Sequence, residues 1–162
     1  MKIIDPDDHK ALEGRNQFDM ITQSEADTLI AMKKYFIDQK TITLSPGTDE
    51  TRELLGDDKQ ERFLLDLWRG TIRLSKYRYQ TRARKIIILV RLCVDGSPHT
   101  NPDGNKIDGT HLHIYKEGYE DKWAYPIDSS NFRNVSDMKK TFDDFCQFCN
   151  IDNIPPFQEV LI

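Results

Sequence analysis

Hydrophobic residues recur at helical spacing near both ends of the chain. Leu29, Met32 and Phe36 follow Thr22 and Glu25, which have the spacing of a capping box and predict a helix over residues 23–37. A second amphipathic segment follows Ser136, which is predicted to cap a helix with apolar positions at Met138, Phe142, Phe145 and Cys149. Each helix therefore has one apolar face that must pack against another element.

Alternation and short apolar runs between these helices predict strands. Residues 41–44 form a short strand, residues 48–60 are polar and irregular, and residues 63–68 do not distinguish a helix from a strand. Four further strands are predicted, at residues 72–83, 86–94, 110–116 and 122–127. Pro126 favours an edge position for the last strand, because proline cannot donate a ladder hydrogen bond.

This order of elements predicts an α+β fold. The sheet is expected to be a four-strand antiparallel meander, with an N-terminal and a C-terminal helix packed on it. Residues 1–20 show little periodicity and are expected to form a flexible N-terminal arm. Residues 21–162 then make up a single domain.

Composition excludes several classes of protein. The chain has 162 residues, of which 38% are hydrophobic and 31% charged, as in a one-domain globular protein. No apolar run approaches the ~20 residues of a membrane span, so no membrane partner is expected. The three cysteines are an odd number, which argues against a secreted disulfide scaffold. The expected location is the cytoplasm.

Positive charge is concentrated in the middle of a chain whose net charge is −4. Residues 61–110 hold 10 basic and 5 acidic side chains, whereas both flanking regions are acidic. Basic residues here alternate with tyrosines, which favours single-stranded nucleic acid as a ligand, although a solvated strand face has the same pattern. The candidate binding residues are Arg73, Lys76, Arg78, Arg82 and Arg84.

Two short motifs supply ligands for a metal ion. The segments His111-Leu112-His113 and Cys146-Gln147-Phe148-Cys149 together offer four nitrogen and sulfur ligands, the number a structural zinc site requires. A zinc ion bound by His111, His113, Cys146 and Cys149 is therefore predicted. It requires a bulge or a strand end, because the histidines otherwise point away from the helix that carries the cysteines.

Two alternatives to this zinc site remain open at the level of sequence. The cysteines have the spacing of core residues on the apolar face of their helix, where free cysteine is common. The histidines have a second set of partners, because His99 in the preceding loop is able to fold back beside His111 and His113. Asp103 or Asp108 would complete that site.

The same histidines also support a catalytic role. A small endoribonuclease needs a base, an acid and a positive group, for which the candidates are His99, His111, His113, Tyr115 and Arg78. The sequence contains no phosphate-binding loop and no nucleophile elbow. No spacing specifies a complete catalytic set, so the prediction favours a protein that is not an enzyme.

Five segments together resemble a family of small uncharacterised proteins carried by bacteria, phages and mobile elements. They span residues 63–70, 86–91, 98–104, 109–115 and 121–126. Small acidic phage-borne proteins include anti-CRISPR proteins, so the resemblance implies, by context, a protein partner such as a CRISPR effector or another defence nuclease.

The leading prediction combines the resemblance with the metal ligands. It is a non-enzymatic, zinc-stabilised binding protein that inhibits a nucleic-acid-handling enzyme of host defence. The alternatives are a toxin-like, histidine-dependent endoribonuclease and a nucleic-acid-binding module that uses residues 69–85.

Overall fold

A computed structural model describes residues 20–160, so the predicted flexible arm falls almost wholly outside the described residues. Two helices and twelve strands are described, in the following order along the chain: α1 (Gln23–Ala31), β1 (Lys34–Phe36), β2 (Ile42–Leu44), β3 (Asp49–Gly56), β4 (Arg62–Arg69), β5 (Tyr77–Ala83), β6 (Ile87–Val94), β7 (His99–Thr100), β8 (Lys106–Ile107), β9 (His111–Ile114), β10 (Ala124–Pro126), α2 (Met138–Phe148), β11 (Ile151–Asp152) and β12 (Phe157–Glu159). None of these helices is long and apolar enough to cross a membrane.

The central sheet is larger than the predicted four-strand meander, which was wrong. Eight strands pair in the order β10-β9-β6-β5-β4-β3-β1-β11, and the sheet is mixed because β1 and β11 are parallel. The polar residues 48–60, predicted to be irregular, contain β3, and the ambiguous residues 63–68 lie in β4. Strand β3 forms despite its polar sequence because β1 and β4 pair with its backbone on both sides.

The first helix is shorter than the sequence pattern predicts. Its start is confirmed, since the Thr22 hydroxyl accepts a hydrogen bond from the amide of Glu25 at 3.1 Å. It ends at Ala31 because the chain turns into β1, where the Lys34 ammonium donates hydrogen bonds of 2.9 and 2.8 Å to the carbonyls of Ile30 and Met32. Those carbonyls lie at the end of the helix, which the lysine therefore closes.

The connections predicted around β5 and β6 are confirmed. A turn of three residues, Arg84 to Ile86, joins these strands, since Ala83 pairs with Ile87. Arg84 and Lys85 have left-handed φ angles of 50° and 70°, which let the chain reverse in so short a turn. Strand β10 lies at the edge of the sheet, as its proline predicts. Helix α2 begins one residue later than expected, since Asp137 rather than Ser136 accepts the capping hydrogen bond from the amide of Lys140, at 3.0 Å.

Alternate residues of the central strands face opposite sides of the sheet. On one side Tyr79 packs against Phe142 and Phe145 of α2, with ring centroids 5.3 and 5.9 Å apart. Leu92 and Leu112 are aligned with Tyr79 across β6 and β9, so they share this apolar face. The other side carries polar residues, and several of them are just as deeply buried, among them Arg91 and His113. These residues form the candidate site.

Candidate metal centre

Strand register places the polar residues in two rows across the sheet. Directly paired residues of neighbouring strands share a face, so each row consists of side-by-side neighbours. One row, from β4 to β9, is Trp68, Arg78, Cys93 and His111. The next row, which begins on β3, is Thr51, Asp66, Gln80, Arg91 and His113.

Three histidines meet where these rows reach β9. His99 folds back from β7, so that its ring centroid lies 4.7 Å from that of His113 and 5.7 Å from that of His111. The ligand atoms of Cys93, His111 and His113 all lie within 4.8 Å of one another. We call these four residues the Cys93–histidine cluster. All four are buried, with His113 at 0% and His99 at 5% exposure as the extremes.

Each imidazole has one ring nitrogen against a backbone carbonyl. The Nδ1 atoms of His111 and His113 lie 2.5 and 2.7 Å from the carbonyl oxygens of Asp108 and Asp121, and the Nε2 atom of His99 lies 2.8 Å from that of Lys122. A carbonyl oxygen only accepts hydrogen bonds, so these nitrogens carry the protons. The opposite ring nitrogens then hold lone pairs, which is the arrangement typical of metal-ligating histidines.

Two of these lone pairs are buried without compensation. Within residues 20–160, the Nε2 atoms of His111 and His113 are buried and have no hydrogen-bond partner. A buried polar atom without a partner destabilises a fold by about 1–3 kcal/mol, and native proteins contain few of them. A metal ion bound between the two imidazoles would satisfy both atoms.

Burial favours the neutral form of His111 and His113. Burial lowers the pKa of His111, and burial together with the nearby Arg91 guanidinium lowers the pKa of His113 far below its ordinary value. Neutral imidazole is the form that binds metals, so neither histidine has to lose a proton at pH 7 before it can act as a ligand.

A polar network holds the cluster from the side of β5. Arg91 Nη1 lies 3.1 Å from an oxygen of Asp121, whose backbone carbonyl holds His113, and 3.3 Å from the side-chain oxygen of Gln80. Gln80 donates to Asp66 at 2.7 Å, and Arg82 binds the same carboxylate through two hydrogen bonds of 2.6 and 2.8 Å. The network therefore fixes His113 through Asp121.

The predicted four-ligand zinc site is not formed. His111 and His113 lie together, but Cys146 lies on α2 and Cys149 caps the end of that helix, which packs on the opposite face of the sheet. The two cysteines are buried there, which raises the pKa of Cys149 to about 12 and that of Cys146 well above its usual range. Strand alternation is the reason, since it directs the histidines away from Leu112 and therefore away from α2.

The alternative carboxylate ligands do not join the cluster either. Asp108 contributes its backbone carbonyl to His111. The Asp103 carboxylate accepts hydrogen bonds of 3.0 and 2.8 Å from the backbone amide and side chain of Asn105, within its own turn. The residue that joins the histidines is Cys93, rather than the predicted cysteines of 146–149 or the predicted aspartates. The local sequence does not mark Cys93 as a ligand, because it lies within the apolar run of β6.

The alternative catalytic residues divide into two groups. His99, His111 and His113 belong to the cluster, and Arg78 lies beside it, paired in register with Cys93. The hydroxyl of Tyr115 instead donates to the carbonyl of Ile21 at 2.7 Å, which ties the start of α1 to the sheet.

The predicted basic strip is also divided. Arg73 forms an ion pair with Asp95, at 2.6 Å, and Arg82 is buried against Asp66. Arg84 lies in the β5–β6 turn, 3.2 Å from a carboxylate oxygen of Glu61 and 3.6 Å from one of Glu25. Lys76 and Arg78 remain, and both lie over the ring of Trp68.

Comparison with known proteins agrees with the resemblance found in the sequence. A family model described as a family of unknown function (DUF6978) matches residues 21–151. The chain belongs to this family. No curated protein and no solved structure matches the chain. Membership of an uncharacterised family is thereby confirmed, and the association with phages and anti-CRISPR proteins stays a prediction.

Proposed function

We propose that this protein is a non-enzymatic binding protein whose sheet is stabilised by one zinc ion, bound by Cys93, His99, His111 and His113. The proposal depends on one observation: buried nitrogen and sulfur ligands converge there, and two of them have uncompensated lone pairs. One cysteine and three histidines form a set of four soft and borderline ligands, which suits tetrahedral zinc.

The distances in the cluster fit such an ion after a small adjustment. Bonds of about 2.0–2.3 Å from zinc to nitrogen and sulfur place tetrahedral ligand atoms roughly 3.3–3.8 Å apart. The ligand atoms of Cys93, His111 and His113 already lie within 4.8 Å of one another and therefore need to move by about 1 Å, which side-chain rotation provides. His99 would complete the set by rotating toward them, since its ring centroid lies 4.7 Å from that of His113. The backbone carbonyls that hold the three rings would remain in place.

A closed site favours a structural role for the ion. A catalytic zinc keeps an open position for water or substrate, whereas four protein ligands fill the coordination sphere. The burial of His111 and His113 supports the same conclusion against the endoribonuclease alternative, because a general acid or base must reach its substrate. The ion would join β6, β7 and β9 and fix the two loops that connect them.

As the activity, we propose stoichiometric binding to a nucleic-acid-handling enzyme of host defence, such as a CRISPR effector. Support comes from the charge distribution, since residues 1–60 hold 13 acidic and 8 basic side chains and residues 111–162 hold 9 acidic and 5 basic ones. Acidic segments of this kind would be complementary in charge to the basic channels of enzymes that handle nucleic acids.

Metal content tests the zinc site. Elemental mass spectrometry of the protein, purified under reducing conditions without chelator, is expected to give about one zinc per chain. Cys93→Ser should lose the ion, because the thiolate is the strongest of the four ligands. Cys146→Ser is the matched control and should keep the ion, since Cys146 lies on the other face of the sheet.

Two outcomes would overturn the proposal. A folded wild-type protein without any metal would exclude the zinc site, and zinc that survives Cys93→Ser but not Cys146→Ser would place it elsewhere. An RNA-cleavage assay adds the functional test. Turnover by the wild-type protein that His111→Ala abolishes, in a variant with an unchanged circular dichroism spectrum, would establish the endoribonuclease instead.

A further inference from the structure

A cleft opens at the end of the polar face, next to the Cys93–histidine cluster. It has a volume of about 500 Å³ and lies between the loop that follows β4 and the loop that follows β6. Trp68 lines it from β4, Thr71, Ile72 and Lys76 from the first loop, and Ser97 and Pro98 from the second. We call it the Trp68 cleft.

Two cations share the indole ring of Trp68. The ammonium of Lys76 lies 5.6 Å from the ring centroid and the guanidinium carbon of Arg78 lies 5.0 Å from it. In the part of the chain that the structure describes, no carboxylate forms an ion pair with either of them. The Nε–H of Arg78 is buried and, among the same residues, has no acceptor. Two positive charges are thus fixed beside an aromatic surface. Lys76 lines the cleft itself, whereas Arg78 lies next to it, over the ring of Trp68.

The neighbouring charges show that this excess is local. Arg73 also lines the cleft, but its guanidinium is held by Asp95, which accepts from Ser75 as well. The acid therefore neutralises Arg73 and leaves the charges of Lys76 and Arg78 uncompensated. The other basic residues of β5 and β6, Arg82 and Arg91, are paired with Asp66 and Asp121. The positive charge is therefore confined to Lys76 and Arg78, in a molecule whose net charge is −4.

We propose that the Trp68 cleft binds single-stranded nucleic acid, with a phosphate at Lys76 and Arg78 and an adjacent base on the Trp68 ring. Arginine and lysine are the usual phosphate ligands, and a tryptophan face accepts any base without sequence preference. The apolar walls at Ile72, which is 99% exposed, and Pro98 would cover the opposite side of the base. A duplex would not enter, since its bases are already stacked.

The proposed metal would hold one wall of this cleft, the loop that follows β6. Cys93 is the register partner of Arg78, and residues 94–98 connect Cys93 directly to His99. The inference rests on the proposed function only for the position of the loop that follows β6, because the Trp68 cleft itself contains no metal ligand. A missing zinc site and a missing nucleic-acid site are therefore separate results.

Fluorescence anisotropy with a labelled 12-nucleotide strand of mixed sequence tests the proposal. RNA and DNA versions of the strand distinguish the two sources of the phosphodiester, and a duplex of the same sequence is the negative control. Arg78→Gln is expected to weaken binding about tenfold and to reduce the salt slope of log Kd by about one, because one phosphate contact is lost. Trp68→Leu should weaken binding by a similar factor through loss of stacking.

Lys85→Gln is the matched control for charge. It removes the same positive charge from an exposed residue in the turn at the other end of β5, and its affinity should stay within about twofold of the wild-type protein. Zinc content and the melting temperature are measured for every variant. If Arg78→Gln and Lys85→Gln lose the same affinity, the effect follows from net charge alone and the proposal is overturned. Zinc-loaded wild-type protein that binds neither strand at low salt would also overturn it, while leaving the proposed zinc site intact.

Discussion

The two faces of the central sheet use alternate residues of the same strands, yet they are buried by different means. On the apolar face, Tyr79 is fully buried by contacts with aromatic rings of α2. On the polar face, Arg91 is just as deeply buried, at 0% exposure, but its neighbours are Gln80, Asp121 and the histidines. The two faces are thus buried to the same extent at these residues, but the apolar face is held by packing and the polar face by particular hydrogen bonds and ion pairs.

This difference determines how each face responds to change. Apolar packing is non-directional, so a substitution loses free energy in proportion to the surface and volume removed. A buried ion pair or metal ligand needs a particular partner, and loss of that partner leaves a charge or a lone pair in a medium that does not solvate it. The polar face should therefore be the less tolerant of the two, and three predictions test that comparison.

The largest effect is expected from Asp66→Ala. The Asp66 carboxylate accepts from Arg82, Gln80 and Thr51, and both members of its ion pair with Arg82 are at most 4% exposed. Its removal leaves a buried guanidinium without a counter-charge, so urea denaturation should show a loss of about 3–5 kcal/mol in the free energy of unfolding.

The double variant Asp66→Leu with Arg82→Met separates the two causes of that loss. It removes the buried charges together and replaces them by apolar groups, so most of the lost free energy should return. A loss below about 1 kcal/mol in Asp66→Ala alone would show that water reaches Arg82, and the polar face would then not be a dry interior.

Lys34 tests the comparison of the two faces from the other side, because it is a buried cation on the apolar face of the sheet. Its ammonium lies 4.8 Å from the ring centroid of Phe63 and 2.8 Å from the carbonyl oxygen of Cys149, and burial lowers its pKa from 10.5 to about 8. Between these two values the unfolded chain holds a proton that the folded protein has released. Raising the pH through this range therefore stabilises the folded protein, by about 3 kcal/mol in total.

The stability difference between the wild-type protein and Lys34→Met isolates this effect. Buried Tyr77, Tyr79, Cys146 and Cys149 have raised pKa values and act in the opposite direction over the same range, but they are present in both proteins. The wild-type protein should gain on the variant as the pH rises from 8 to 10.5, measured by urea denaturation. A difference that stays constant with pH would show that Lys34 titrates alike in both states.

Local patterns in the sequence predict the apolar face well and the polar face poorly. The apolar run of β6, the Arg84-Lys85 hairpin and the spacing of Phe142 and Phe145 on α2 are properties of neighbouring residues. Strand β3 was missed because its polar sequence depends on pairing with β1 and β4 rather than on its own propensity.

The candidate metal centre depends on strand register, which a single sequence does not specify. Alternation on β9 correctly places His111 and His113 on one face. Cys93 joins them only because β6 pairs with β9 so that Cys93 lies opposite His111. A shift of one residue would exchange Cys93 for Leu92 and bring the apolar side chains to the histidines. A short cysteine motif such as 146–149 is easier to recognise in a sequence than a single cysteine whose partners lie on another strand.

The smallest effects are expected from conservative substitutions, and they compare the two faces most directly. Leu92→Met on the apolar face nearly conserves volume and should lower the free energy of unfolding by less than about 1.5 kcal/mol. Arg82→Lys conserves charge on the polar face, but the two hydrogen bonds to Asp66 and the one to the Lys85 carbonyl need a planar guanidinium. Loss of that geometry should lower the free energy of unfolding by about 2 kcal/mol. Urea denaturation of both variants at pH 7 gives the comparison, and a milder effect for Arg82→Lys than for Leu92→Met would mean that the polar face adapts as readily as the apolar one.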